Sequence, residues 1–143
     1  MDLRGIHMWL VLWKAYNACQ TAAEKSIASL GMCYSDFAVL ECLLHKGALP
    51  INAIGQKISL TSGSITTAID RLERRGLVVR QNSQTDRRAR IVELIPEGRK
   101  LIREAFRKHE RDMETMVRSF TKDERQVFLK LLKRFGKAAL KDQ

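Results

Sequence analysis

Long apolar runs are absent from this 143-residue chain. Its most apolar opening stretch, Met8 to Trp13, stops at Lys14. That is shorter than the apolar region of a secretory signal and far short of the ~20 residues that cross a bilayer. Ala18-Cys19 makes no lipoprotein box either, because Tyr16 stands where its aliphatic residue would be. Cysteine is scarce: Cys19, Cys33 and Cys42 are odd in number and show no C-x-x-C spacing. A disulfide scaffold and a structural zinc site are thereby excluded, and a reduced, cytoplasmic setting without a membrane partner is predicted. Glycine-rich phosphate loops and nucleophile motifs are missing. The three histidines, His7, His45 and His109, fall in separate helical stretches without metal-ligand spacing. No enzyme, cofactor or metal is therefore expected. Proline occurs only at Pro50 and Pro96, both where the periodicity changes. With no low-complexity segment or internal repeat, the length fits one domain over 1–143.

What the chain has is basic charge, unevenly placed. The net charge is +10 and the isoelectric point near 10.0, which puts polyanions first among partners. Residues 1–70 carry five basic and five acidic side chains; residues 71–90 carry seven arginines against Glu73 and Asp86. Residues 99–141 add fourteen basic and six acidic side chains. The densest cluster is "DRRAR" at 86–90, just before the alternating "RIVEL". Like charges crowded at one point indicate a local electrostatic footprint, not general solubilisation.

Periodicity orders the elements. Ile6, Trp9, Leu10, Trp13 and Tyr16 recur at helical spacing in a first helix ending before Gly31. A second helix runs from about Ser35 to Gly47; it is apolar on two sides and therefore sandwiched. After Pro50 comes a short helix with Ile51, Ile54 and Ile58, then a break at "SLTSGS". The next helix is capped by Thr61 or Ser62 and closed by Gly76. The period then drops to about two in "LVVRQ" and "RIVEL", a hairpin joined by "NSQTDRRA". Beyond Pro96 a long stripe runs from Leu101 to Phe120, and "TKDE" at 121–124 forms a capping box for a last helix. The predicted order is four helices, two strands and two helices, with room for a small extra strand near 48–50.

In the helix after the break, Ile65, Ile69 and Leu72 anchor one face. At about 100° per residue the opposite face shows Gly63, Thr67, Asp70, Arg71 and Arg74, with Thr66 at its edge. Together with Ser62 and Ser64 this is a slim surface, rich in hydroxyls first and basic later. It suits a major groove about 12 Å wide, where small residues permit approach and arginine can fork onto guanine.

"LTSGSITTAIDRLERRGLVVR…DRRARIVEL…EG" resembles the winged helix-turn-helix core of the MarR family of bacterial and archaeal transcriptional regulators. Leu72, Glu73, Gly76, Leu77, Val78, Arg80, Asp86, Arg88 and Gly98 fall on its pattern. "SDFAVLECLLHKG" and "SGSITTAIDRLE" are similar to the branch that senses quinones and other phenolics. Two departures stand out: Leu94-Ile95-Pro96 lacks the usual hydroxyl cap of the long helix, and Cys33 replaces a capping hydroxyl before the second helix. The resemblance implies a mainly helical fold with a small hairpin wing, the DNA-binding region over 35–98, and dimerisation helices over 3–30 and 99–143. It implies a sequence-specific repressor on double-stranded DNA, acting as a homodimer on a palindromic operator with half-sites about 34 Å apart. Contacts would come from Ser62, Gly63, Ser64, Thr66, Thr67, Asp70, Arg71 and Arg74. In the wing, Arg88 would enter the minor groove with Asp86 holding its guanidinium, while Arg87 and Arg90 grip phosphates.

The apolar stripes on the first helix and the last two exceed what a small central domain needs, so they predict the dimer contact, over about 3–20 and 110–140. The resemblance also implies an effector pocket for a small aromatic ligand, with Trp9, Trp13, Tyr16, Phe37 and His45 as lining candidates. Two alternatives remain open from the residues: a redox trigger at Cys19 or Cys33, and a sequence-neutral nucleoid-type DNA-binding protein.

Overall fold

A computed structural model describes residues 1–141 in six helices and three strands. Their order is α1 (Gly5–Ser29), α2 (Tyr34–Lys46), β1 (Leu49–Pro50), α3 (Ile51–Lys57), α4 (Ser62–Arg74), β2 (Val78–Asn82), β3 (Arg90–Leu94), α5 (Pro96–Glu114) and α6 (Lys122–Lys141). The sequence reading of this order holds, including the extra strand. The last two residues of the 99–143 segment lie outside the described residues. No single helix described is long and apolar enough to cross a membrane.

The core forms around α2. Phe37, Ala38, Val39, Leu40, Cys42 and Leu43 are all buried there, so α2 is covered on both sides as its two apolar faces require. Ile54 of α3, Ile65, Ile69 and Leu72 of α4, Val92 of β3 and Ile102 of α5 close over it, each essentially without exposure. The sheet is antiparallel in the order β1-β3-β2. Leu49 pairs with Val92, and the hairpin runs from Val78 opposite Leu94 to Asn82 opposite Arg90. Pro50 lies on the edge strand, where its missing N–H breaks no ladder.

Local chemistry sets the boundaries. Thr61 Oγ1 accepts from the Ser64 amide at 3.1 Å and so caps α4. At the far end Gly76 takes φ +68°. The Gly76 amide donates to the Glu73 carbonyl and the Leu77 amide to the Leu72 carbonyl, the Schellman pair that a left-handed residue makes available. Gly98 serves close packing instead, since a Cβ there would lie 1.9 Å from the Leu77 carbonyl oxygen. Only glycine lets α5 start against the root of β2.

One expectation fails. The stripe from Leu101 to Phe120 is not one helix, because α5 ends at Glu114. The amides of Thr115, Met116, Val117 and Phe120 bond carbonyls three residues back, a tightened run rather than a helix. Its carbonyls find other donors: the Thr115 hydroxyl donates to the Asp112 carbonyl at 2.6 Å, and the Arg125 guanidinium donates to the Val117 and Phe120 carbonyls. Arg125 also pairs with Glu114 at 2.6 Å. The predicted capping box then opens α6: Glu124 accepts from the Thr121 amide at 2.7 Å, and Thr121 Oγ1 accepts from the Glu124 amide at 3.3 Å.

Candidate nucleic-acid interface

The inward residues of α4 (Ile65, Ala68, Ile69 and Leu72) fix its rotation on the core. Ser62, Gly63, Ser64, Thr66, Thr67, Asp70 and Arg74 are consequently exposed. Beyond its own helix backbone and chain neighbours, nothing lies within 4 Å of where a Gly63 Cβ would be, so backbone and hydroxyls present an open, narrow ridge.

The basic end of α4 differs from expectation. Arg71 does not join the free face: its Nη2 donates to Asp36 Oδ1 at 2.6 Å and its Nε to the same oxygen at 3.2 Å. Nη2 also reaches Ser35 Oγ at 3.2 Å and Cys33 Sγ at 3.5 Å. Asp36 is only 4% exposed. Stranding a buried charge costs about 3–5 kcal/mol, more than the roughly 1–3 kcal/mol of a bidentate guanine contact. Hydrogen bonding to Asp36 holds the guanidinium above its ordinary pKa. Asp70 is committed too, to Arg80 of β2, whose other terminal nitrogen holds Glu73 at 2.8 Å. Arg74 donates from Nε to the Asp70 carbonyl at 3.3 Å and forms no ion pair among the described residues.

At the wing tip Ser83 Oγ accepts from the amides of Thr85 and Asp86, at 3.3 and 3.2 Å. Asp86 does not hold the Arg88 guanidinium. Its Oδ1 accepts from the Arg88 amide at 2.9 Å, the short-range turn bond that an aspartate makes two residues on. The guanidiniums of Arg87, Arg88 and Arg90 are exposed and form no ion pair among the described residues. A cleft of about 640 Å³ separates wing from α4, floored by Ile51, Leu60 and Ile65 and edged by Arg88 and Arg90.

The five aromatic and histidine candidates for an effector pocket are not gathered into one cavity in the single chain. Trp9, Trp13 and Tyr16 are 52%, 50% and 58% exposed on α1. Phe37 stacks edge-on against His109 with centroids 5.0 Å apart, and His45 against Phe106 at 4.8 Å. The separation is geometric. Only the last turns of α1 reach the core at Ile27, and 18 helical residues at ~1.5 Å each place Trp9 about 27 Å away.

A polar node that sequence reasoning missed sits where α1 meets α5. The Ser26 hydroxyl donates to Asp112 Oδ2 at 2.7 Å, so it accepts from His109 Nδ1 at 2.9 Å; the neutral imidazole carries its proton on Nδ1. Burial is the main cause that lowers the His109 pKa. Lys108 completes the node, 2.8 Å from Asp112. The sequence signal was faint, because Ser26 and Asp112 look like ordinary surface positions. Of the cysteines, Cys42 is buried, and burial pushes its thiol pKa up; Cys19 and Cys33 are exposed.

Helix, tight turn, helix and an arginine-tipped hairpin on one outward surface define a winged helix-turn-helix protein. Comparison narrows this. The model of the MarR family matches residues 34–89. The HTH-type transcriptional regulator MhqR of Bacillus subtilis is 35% identical over 136 residues, covering 95% of this chain and 94% of that protein. BpsR of Bordetella bronchiseptica shares the fold with a TM-score of 0.78 at 23% identity, over 91% of this chain and 98% of that one. A mutant MarR from E. coli, complexed with operator DNA, gives 0.78 at 20% identity, over 94% and 99%. This chain belongs to the MarR family and is a DNA-binding transcriptional regulator.

Proposed function

We propose that two copies of this chain bind a palindromic operator as a homodimer, and that a small aromatic effector releases them. The observation that carries DNA binding is the wing: three exposed arginines, without an ion pair among the described residues, project beside an open hydroxyl ridge. Arg88 enters the minor groove, and Arg87 and Arg90 hold phosphates. Dimerisation is supported by the apolar faces left bare on the terminal helices, Trp9, Trp13 and Tyr16 on α1 and Val127, Phe128 and Leu131 on α6. Effector control is supported by kinship: BpsR is a relative in fold whose DNA binding is regulated by 6-hydroxynicotinic acid. With α1 aromatics remote from Phe37 and His45 in one chain, an aromatic pocket would require the second copy. The chain acts in the cytoplasm, without catalysis, cofactor or metal.

The test is binding to duplex from its own upstream region against random duplex of equal length. A specific dimer prefers its own site by at least ~10³; equal affinity for both supports a sequence-neutral nucleoid-type protein instead. Cys33 gives the redox alternative its one favourable observation, a guanidinium 3.5 Å from an exposed sulfur. DNA release by mild oxidant that survives in Cys33→Ser and in Cys19→Ser removes that alternative.

A further inference from the structure

The recognition helix is held on both flanks through its own charged side chains. On one flank Asp36 of α2 takes two nitrogens of Arg71 along one guanidinium edge, and Arg75 approaches the other carboxylate oxygen at 3.9 Å. Opposite, Arg80 of β2 spans Asp70 and Glu73, one turn apart on α4, and its backbone amide donates to Glu73 Oε2 at 3.0 Å. Asp36 is buried, and the Arg80 side chain is 19% exposed. A guanine contact needs a two-donor fork. Nε and Nη2 of Arg71 are both engaged, as are both terminal nitrogens of Arg80.

From this geometry we infer that Arg71 and Arg80 are positioning residues, not DNA contacts, and that base discrimination by α4 falls on its hydroxyl half (Ser62, Ser64, Thr66 and Thr67) with Arg74. The two clamps fix the roll and tilt at which that half meets the groove. The Arg80 clamp also neutralises Asp70 and Glu73, which would otherwise face phosphates as bare negative charge. The inference rests on operator binding as proposed above and adds which side chains read and which only hold.

The experiment measures affinity for upstream and random duplex across a salt series, with thermal melting of every variant. Asp36→Asn, at a buried side chain, is expected to weaken upstream binding about tenfold while random-duplex binding stays within about twofold. The double variant Asp36→Asn, Arg71→Gln removes both charges and strands neither, so it folds even where a single variant does not. Its salt slope is expected to equal that of the wild type. A slope lower by about one marks a lost phosphate contact and overturns the inference, as does tighter upstream binding by Asp36→Asn, in which Arg71 is freed. Thr67→Val is expected to lose at least tenfold discrimination at one base pair and nothing on random duplex; unchanged discrimination in both Thr67→Val and Thr66→Val also overturns it. Wild-type protein with no preference for its upstream region is a separate outcome, which sinks the operator reading itself and this inference with it.

Discussion

The centre of this chain and its two ends use the same apolar residue types to opposite effect. Every core hydrophobic lies between Ile27 and Ala105, whereas α6 buries nothing and α1 buries only Ser26 and Ile27. The winged centre closes over its own apolar surface. The ends offer theirs outward, with Trp9, Trp13, Phe128 and Leu131 all at least 46% exposed. Exposed large apolar side chains in this number on a charged protein are what an interface would cover. The difference teaches that one chain can close its core at the centre and still leave apolar surface at its ends for the second copy proposed above.

The sharpest way to break that comparison is to cut into the centre. Leu40→Ala should cost about 3–5 kcal/mol, read from urea denaturation, with a midpoint shift independent of protein concentration. The same chemistry applied at the ends should behave differently: Phe128→Asp with Leu131→Asp should leave the far-ultraviolet spectrum of a folded protein. Sedimentation should then show monomers, and operator affinity should fall at least ~10²-fold as two half-sites become one. Wild-type protein that sediments as a monomer would undo the contrast. Arg88→Ala should weaken operator binding about tenfold and reduce preference for A·T-rich flanks, in fluorescence anisotropy on matched duplexes.

The border between the regions has its own probe. His109 is held neutral, its pKa below the usual 6.5 chiefly because it is buried. Between that ordinary value and the lowered one, the unfolded chain binds a proton that the folded chain refuses. Stability is therefore complete above about pH 6.5 and drains away as pH falls through the folded pKa. His109→Gln should flatten that part of the Tm-against-pH curve. The smallest effect expected is at Arg87→Ala, a loss of roughly one unit of salt slope with sequence preference intact.

Much of the centre was legible beforehand, since its signals are local. Gly76 after a helical stripe, Thr61 before one and the switch to period two each state their geometry within a few residues, as does the "TKDE" box at the start of α6. The wing was legible because charge crowding is visible without coordinates. What escaped depends on partners far along the chain. Arg71 is engaged by Asp36, 35 positions earlier, and a helical wheel has no second helix in it. The end of α5 depends on Arg125, eleven positions after Glu114. Asp86 did find Arg88, but at the amide: periodicity and charge say which residues are neighbours and are silent on which atom meets which. The effector candidates scattered for a related reason, because aromatic content does not reveal how far a helix projects beyond the body it belongs to.

Gly98 ties these matters to motion. Bare of side chain, it seats the start of the longest central helix directly on the Leu77 carbonyl, which also accepts the Ile95 amide at 3.2 Å. Nothing larger than a hydrogen fits between them. A tilt of α5 about that seat would carry to the root of the arginine-tipped hairpin, as a rocker arm turns on a fixed pin.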